Sequence, residues 1–154
     1  MKIQNLLLIV VFGMLFVTCK KEKSLKEYMT DSWETTYLKI EMPTVNNSDS
    51  LSVYVDEFDN NTEVIAQSKY NTDGTFSAWF VNQKGEKNAE SKGIWFIKND
   101  SLRIEYFYAG RDVKVNYKVI KTDVGFDAVS LYDWDEDGEF DDLLLMKTKR
   151  IKTE

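Results

Sequence analysis

No histidine occurs anywhere in this chain, and that absence removes more chemistry than any other feature of the sequence. Without imidazole there is no histidine-ligated zinc, no Ser-His-Asp triad and no histidine general base. Cysteine is almost as scarce: Cys19 is the only one, so no disulfide within the chain can hold the fold and hydrophobic burial must do so. Pro43 is the single proline, and none of the seven glycines belongs to a phosphate-cradling loop after a strand. Positive charge is in deficit, with 20 basic against 26 acidic side chains, and the lysines form no stripe interleaved with aromatics. Nucleic acid is therefore not an expected partner. Paired carboxylates remain the one familiar route to catalysis. The acids here mostly alternate with apolar residues, as on a solvated face, so the chain reads as non-catalytic.

What is present begins with a leader. Met1–Asn5 carries one lysine, and Leu6–Val17 is an apolar run broken only by Gly13. That is too short to span a bilayer and of the length of a secretory signal. The run stops at Phe16-Val17-Thr18-Cys19, followed at once by Lys20-Lys21-Glu22-Lys23. This resembles the lipobox of bacterial lipoproteins, which implies a signal peptide over 1–18 and a mature chain that starts at an acylated, palmitate-bearing Cys19. The same resemblance implies a cell-envelope address, anchored to the outer membrane through that lipid. Loss of residues 1–18 leaves 19 basic and 26 acidic side chains, a net charge of −7. Residues 19–31 then form the tether, with one helical turn over Ser24–Met29 in which Ser24 caps and Glu27 completes a capping box.

From residue 32 to 152 the pattern is that of one β domain, since roughly 135 mature residues bury about two-thirds of their unfolded surface, enough for one core. In 33–42, Leu38, Ile40 and Met42 share one face and Trp33, Thr35 and Tyr37 the other, until Pro43 ends the strand. Leu51–Val55 alternates too briefly to separate a short strand from an irregular segment. Strands are expected at 63–70 and 75–82, joined by Asp73-Gly74. Gln83–Lys92 reads as a polar loop, and 93–97 and 102–108 as a hairpin. Val113, Val115, Tyr117 and Val119 alternate strictly, and 128–132 with 143–149 make the last pair. Eight strands joined in order suit a closed, eight-stranded up-and-down antiparallel β-barrel, with a sandwich as the rival.

Asp73-Gly74-Thr75-Phe76, followed by Gly93-Ile94-Trp95-Phe96-Ile97-Lys98-Asn99-Asp100-Ser101-Leu102, is similar to a progression found in bacterial lipocalin-like lipoprotein domains. The resemblance runs as a pattern of strands from 33 to 150 and implies a lipocalin-like barrel.

Two groups of residues are candidates for function. Asp133, Asp135, Asp137 and Asp141, with Gly138 between them, have the spacing that wraps oxygen ligands round calcium, and the carbonyl of Glu139 would be a fifth ligand. The alternative is an acidic, soluble turn whose Asp and Gly serve only the bend. Phe80, Trp95, Tyr106 and Tyr117 lie on strands and either line an apolar ligand cavity or fill the barrel, the commoner use of strand aromatics. The expected function is a non-catalytic binding module for a small apolar ligand or an envelope protein. The alternative is an inhibitor or immunity-type lipoprotein that blocks a basic target enzyme through its loops.

Overall fold

The computed structural model describes residues 22–45, 48, 50–58, 60 and 63–152; the expected signal peptide and Cys19 lie outside them. One helix, α1 (Leu25–Met29), precedes nine strands: β1 (Ser32–Met42), β2 (Ser52–Asp56), β3 (Val64–Tyr70), β4 (Thr75–Asn82), β5 (Lys87–Lys98), β6 (Ser101–Tyr108), β7 (Arg111–Lys121), β8 (Phe126–Tyr132) and β9 (Asp142–Arg150). Every pairing is antiparallel; β1 is followed by β3 to β9 in order, and β9 returns to β1 along Trp33 to Glu41. The result is a closed eight-stranded up-and-down barrel, and β2 lies outside it. Closure rules out the sandwich and removes the free edges of those eight strands.

The alternating apolar residues face the interior. Leu102 and Ile104 on β6, Val113, Val115 and Tyr117 on β7, and Phe126 and Ala128 on β8 are all buried in one cluster. Short connections fix the register at one end. Asn99 and Asp100 both take positive φ, 49° and 57°, the mirror-image turn that matches the twist of a two-residue hairpin. At the same end, a Cβ on Gly125 would lie 2.1 Å from the carbonyl oxygen of Thr148, so only glycine lets these backbones meet.

Three elements differ from the sequence reading. The two faces expected for β1 are one: the register with β9 slips between Thr35 and Tyr37, and this bulge at Thr36 shifts the alternation by one residue. Thr35, Leu38 and Ile40 consequently line the same cavity, above the buried Trp33. Leu51–Val55, ambiguous in sequence, contributes β2, whose five residues pair with Leu38–Met42 of β1. Gln83–Lys92 is mostly strand rather than loop, because β5 starts at Lys87 and pairs with β4 there. Its residues 87–90 are exposed and, apart from Ala89, polar, so no apolar alternation marks them.

Candidate functional site

The two ends of the barrel are built differently. At one end α1 lies across the opening. Ser24 Oγ accepts from Glu27 N and the Glu27 carboxylate accepts from Ser24 N, the expected capping box. Met29 and Trp33 are completely buried, and Trp33 Nε1 donates to the carbonyl of Met29 at 3.0 Å. The Trp33 ring meets Phe126 edge-on at 4.9 Å, and the Arg150 guanidinium covers it at 4.3 Å while pairing with Asp31. The Tyr28 hydroxyl donates to the carbonyls of Thr122 and Gly125, tying the helix to the β7–β8 turn. This end is sealed.

The other end is open. Above the sealed core lies a cavity of about 700 Å³, lined mainly by carbon atoms. Small side chains make the room: Ala66, Ser68, Ala78 and Ser91 stand on β3, β4 and β5 where larger residues would fill the interior. At the rim β1 leaves β3, with which it pairs through Thr35, and from Leu38 onward takes β2 instead. Phe58, from the segment after β2, packs on Phe80 of β4 at 6.4 Å and belongs to the wall.

Tyrosines are prominent among the polar residues inside. Tyr70, Tyr106, Tyr108 and Tyr117 line the cavity. Loss of hydration on burial pushes the phenols of Tyr70, Tyr106 and Tyr117 well above the ordinary tyrosine value, with neighbouring phenols adding to the effect on each. They are neutral O–H groups at any physiological pH. At the rim, Tyr54 donates to Asp56 Oδ2 at 3.3 Å, and desolvation followed by the charge of Asp56 raises its phenol too.

The β8–β9 loop borders the same mouth. Trp134 lines the cavity, stacks on Tyr132 at 4.8 Å, and gives its carbonyl to Arg111 Nη2. Around it, carboxylate oxygens of Asp133, Asp135 and Asp142 come within 4.8 Å of one another. Asp142 Oδ2 accepts from Trp134 N at 2.5 Å and Asp135 N at 3.2 Å. Its carboxyl is nonetheless raised, first by desolvation and further by the charges of Asp135 and Asp141. Among the described residues, no donor reaches Asp133 Oδ1, Asp135 Oδ2 or Asp141 Oδ1, all of them buried.

Of the residues singled out in the sequence, Phe80, Tyr106 and Tyr117 lie on the cavity wall, whereas Trp95 packs beneath it, edge-on to Tyr70 at 5.5 Å with its Nε1 bonded to the Asn71 carbonyl. Asp133 and Asp135 converge. Asp137 faces other partners, Thr44 and the backbone of Glu139, while Glu139 is exposed. Asp142 takes part in their stead. Its place was legible, since it is two residues before the inward Leu144 on β9 and shares its phase. The wall contributions of Tyr54, Asp56 and Phe58 carried no comparable signal. Compared with known proteins, the chain matches no family model and no curated protein.

Proposed function

We propose that this protein is an envelope-anchored, lipocalin-like lipoprotein whose barrel holds a small apolar ligand without catalysis. The observation that carries the reading is the cavity: about 700 Å³, open at one end and sealed at the other, within the range of dedicated small-molecule pockets. A filled interior with an exposed loop patch would have favoured the inhibitor alternative. The absence of histidine and of any free cysteine besides the anchor supports a non-catalytic role.

Anchoring and binding occupy opposite ends. Glu22 pairs with Lys121 at the sealed end, 3.2 Å apart, and Cys19 is three residues earlier, a span of at most about 11 Å of chain. An acyl group there places the sealed end toward the bilayer and the mouth toward the compartment. Guests enter from the aqueous side.

A divalent cation, calcium by its oxygen ligands, is proposed for the β8–β9 loop on one specific observation: carboxylate oxygens of Asp133 and Asp135 are buried with no donor among the described residues. Unpaired buried charge is costly, and a hard cation would neutralise it.

The ligand reading is tested by titrating the soluble domain, residues 20–154, with the uncharged probe N-phenyl-1-naphthylamine. Saturable fluorescence enhancement is expected, and Ala78→Trp, which fills the cavity, is expected to abolish it while leaving the β-sheet circular dichroism intact. No enhancement in the parent, or an undiminished one in the variant, contradicts the reading.

A further inference from the structure

Charge is distributed unevenly around the cavity. Among the described residues Asp56 is the only charged one on its wall, and neither lysine nor arginine lines it. Trp134 on the wall is flanked by Asp133 and Asp135, and Asp142 is close behind. Carboxylates therefore stand on the β2 side and the β8–β9 side of the mouth, and no cation is on the described wall.

Two cations at the mouth end, Arg111 and Lys87, have partners of their own. Arg111 Nε faces Glu136 at 3.2 Å, its Nη2 donates to the Trp134 carbonyl, and its guanidinium lies 5.5 Å over the Tyr132 ring. Lys87 Nζ sits 3.7 Å above the Trp79 ring. Neither belongs to the wall. The hydrogen-bonding groups on the wall besides Asp56 are neutral, among them the hydroxyls of Tyr106, Tyr117 and Ser68, the amides of Gln67 and Asn88, and the buried indole N–H of Trp134.

From this arrangement we infer that the cavity selects neutral guests with an apolar body and a hydroxyl, ester or amide head, and rejects those with a carboxylate or phosphate head. The inference rests on the ligand-binding reading and narrows it. A carboxylate brought into this well meets no cation on the described wall, passes the carboxylates of Asp56 and the β8–β9 loop, and keeps only neutral donors in exchange for its hydration. It therefore enters as the neutral acid. With a carboxyl pKa of about 4.3, protonation at pH 7.5 leaves roughly one molecule in a thousand competent, and apparent affinity rises about tenfold per unit fall in pH. A neutral head bears no such penalty. The tyrosine hydroxyls donate to it and accept from it.

The test is competition against N-phenyl-1-naphthylamine by a matched pair, a long-chain alcohol and the fatty acid of the same chain length, below their micelle concentrations. At pH 7.5 the alcohol is expected to displace the probe at least a hundredfold more effectively than the acid. Between pH 7.5 and 5.5 the acid gains and the alcohol does not. Asp56→Lys, which puts a cation on the wall, is expected to narrow the ratio. Equal displacement by acid and alcohol at pH 7.5 overturns the inference while the binding function stands. Loss of acid displacement in Arg111→Gln, where the parent shows it, also overturns it by revealing Arg111 as an anion receptor. If the probe itself does not bind, the ligand-binding reading falls, and this inference with it.

Discussion

Asp142 shows how one side chain is asked to do two opposed things. Its Oδ2 gathers the backbone N–H groups of Trp134 and Asp135, which organises the loop. Its charge sits beside Asp135 and Asp141 in a site with little hydration, so its carboxyl is raised above the ordinary value of 3.8. A group that holds its proton more tightly folded than unfolded contributes less stability as pH rises past about 4. At neutral pH without metal, the charge is a net cost. Asp142→Asn keeps an oxygen acceptor for both N–H groups and removes a like charge. In chelator at pH 7 the variant is expected to melt no lower than the parent. In 10 mM calcium the parent gains about 1.4 to 2.7 kcal/mol, as for a site of 10⁻⁴ to 10⁻³ M affinity, and Asp142→Asn and Asp135→Ala gain much less. Melting temperatures followed by circular dichroism read both conditions, and a parent indifferent to calcium removes the cation from the account. The Asp133-x-Asp135-x-Asp137-Gly138 spacing announced an acidic loop. It did not announce that Asp137 would turn to Thr44, because that depends on the backbone of the loop; the inward place of Asp142 was instead legible from its strand phase with Leu144.

At the scale of elements, the Thr36 bulge shows where period-two reading stops working. Trp33 and Thr35 have one phase, Leu38 and Ile40 the other, and a sequence holds no mark for the residue at which the phases exchange. The bulge coincides with the place where β1 changes partner from β3 to β2, so a local slip and a tertiary fork are one event. Deleting Thr36 forces a choice: either Trp33 leaves the sealed end or Leu38 and Ile40 leave the cavity wall. The expected result is a loss of about 3 kcal/mol or more, as for removal of a fully buried tryptophan, with binding of the uncharged probe lost as well. Urea unfolding measures the first, and a parent-like midpoint would mean that the strand slides without penalty. Where alternation is unbroken, as in Leu102–Tyr108 and Val113–Val119, the faces were legible and the interior residues are those expected. The hairpin turns at Asp73-Gly74 and Asn99-Asp100 were legible for the same reason, since each carries its own conformational chemistry. The early part of β5 was not, because a strand exposed on both faces is held by its ladder to β4 and shows no apolar pattern.

Taken whole, the molecule is asymmetric along the barrel axis. One end is closed by Met29, Trp33 and Phe126 under α1, and the other opens through Tyr108, Trp134 and Phe58 to the surroundings. That a barrel of eight strands would form followed from their number and order. Whether its interior would be filled did not, since the strand aromatics serve both outcomes: Trp95 packs the floor while Phe80, Tyr106 and Tyr117 stand round a space left by alanine and serine. Cavities arise from the sum of many small residues at matching heights on neighbouring strands, and register supplies those heights. The central claim is that this space carries a guest. Native mass spectrometry of the full chain, purified in mild detergent from the cells that express it, tests it most directly. The account predicts the acylated protein with one additional, non-covalent neutral molecule that leaves on collisional activation and is missing from Ala78→Trp. A parent that emerges bare, and stays bare after incubation with long-chain alcohol, would contradict it.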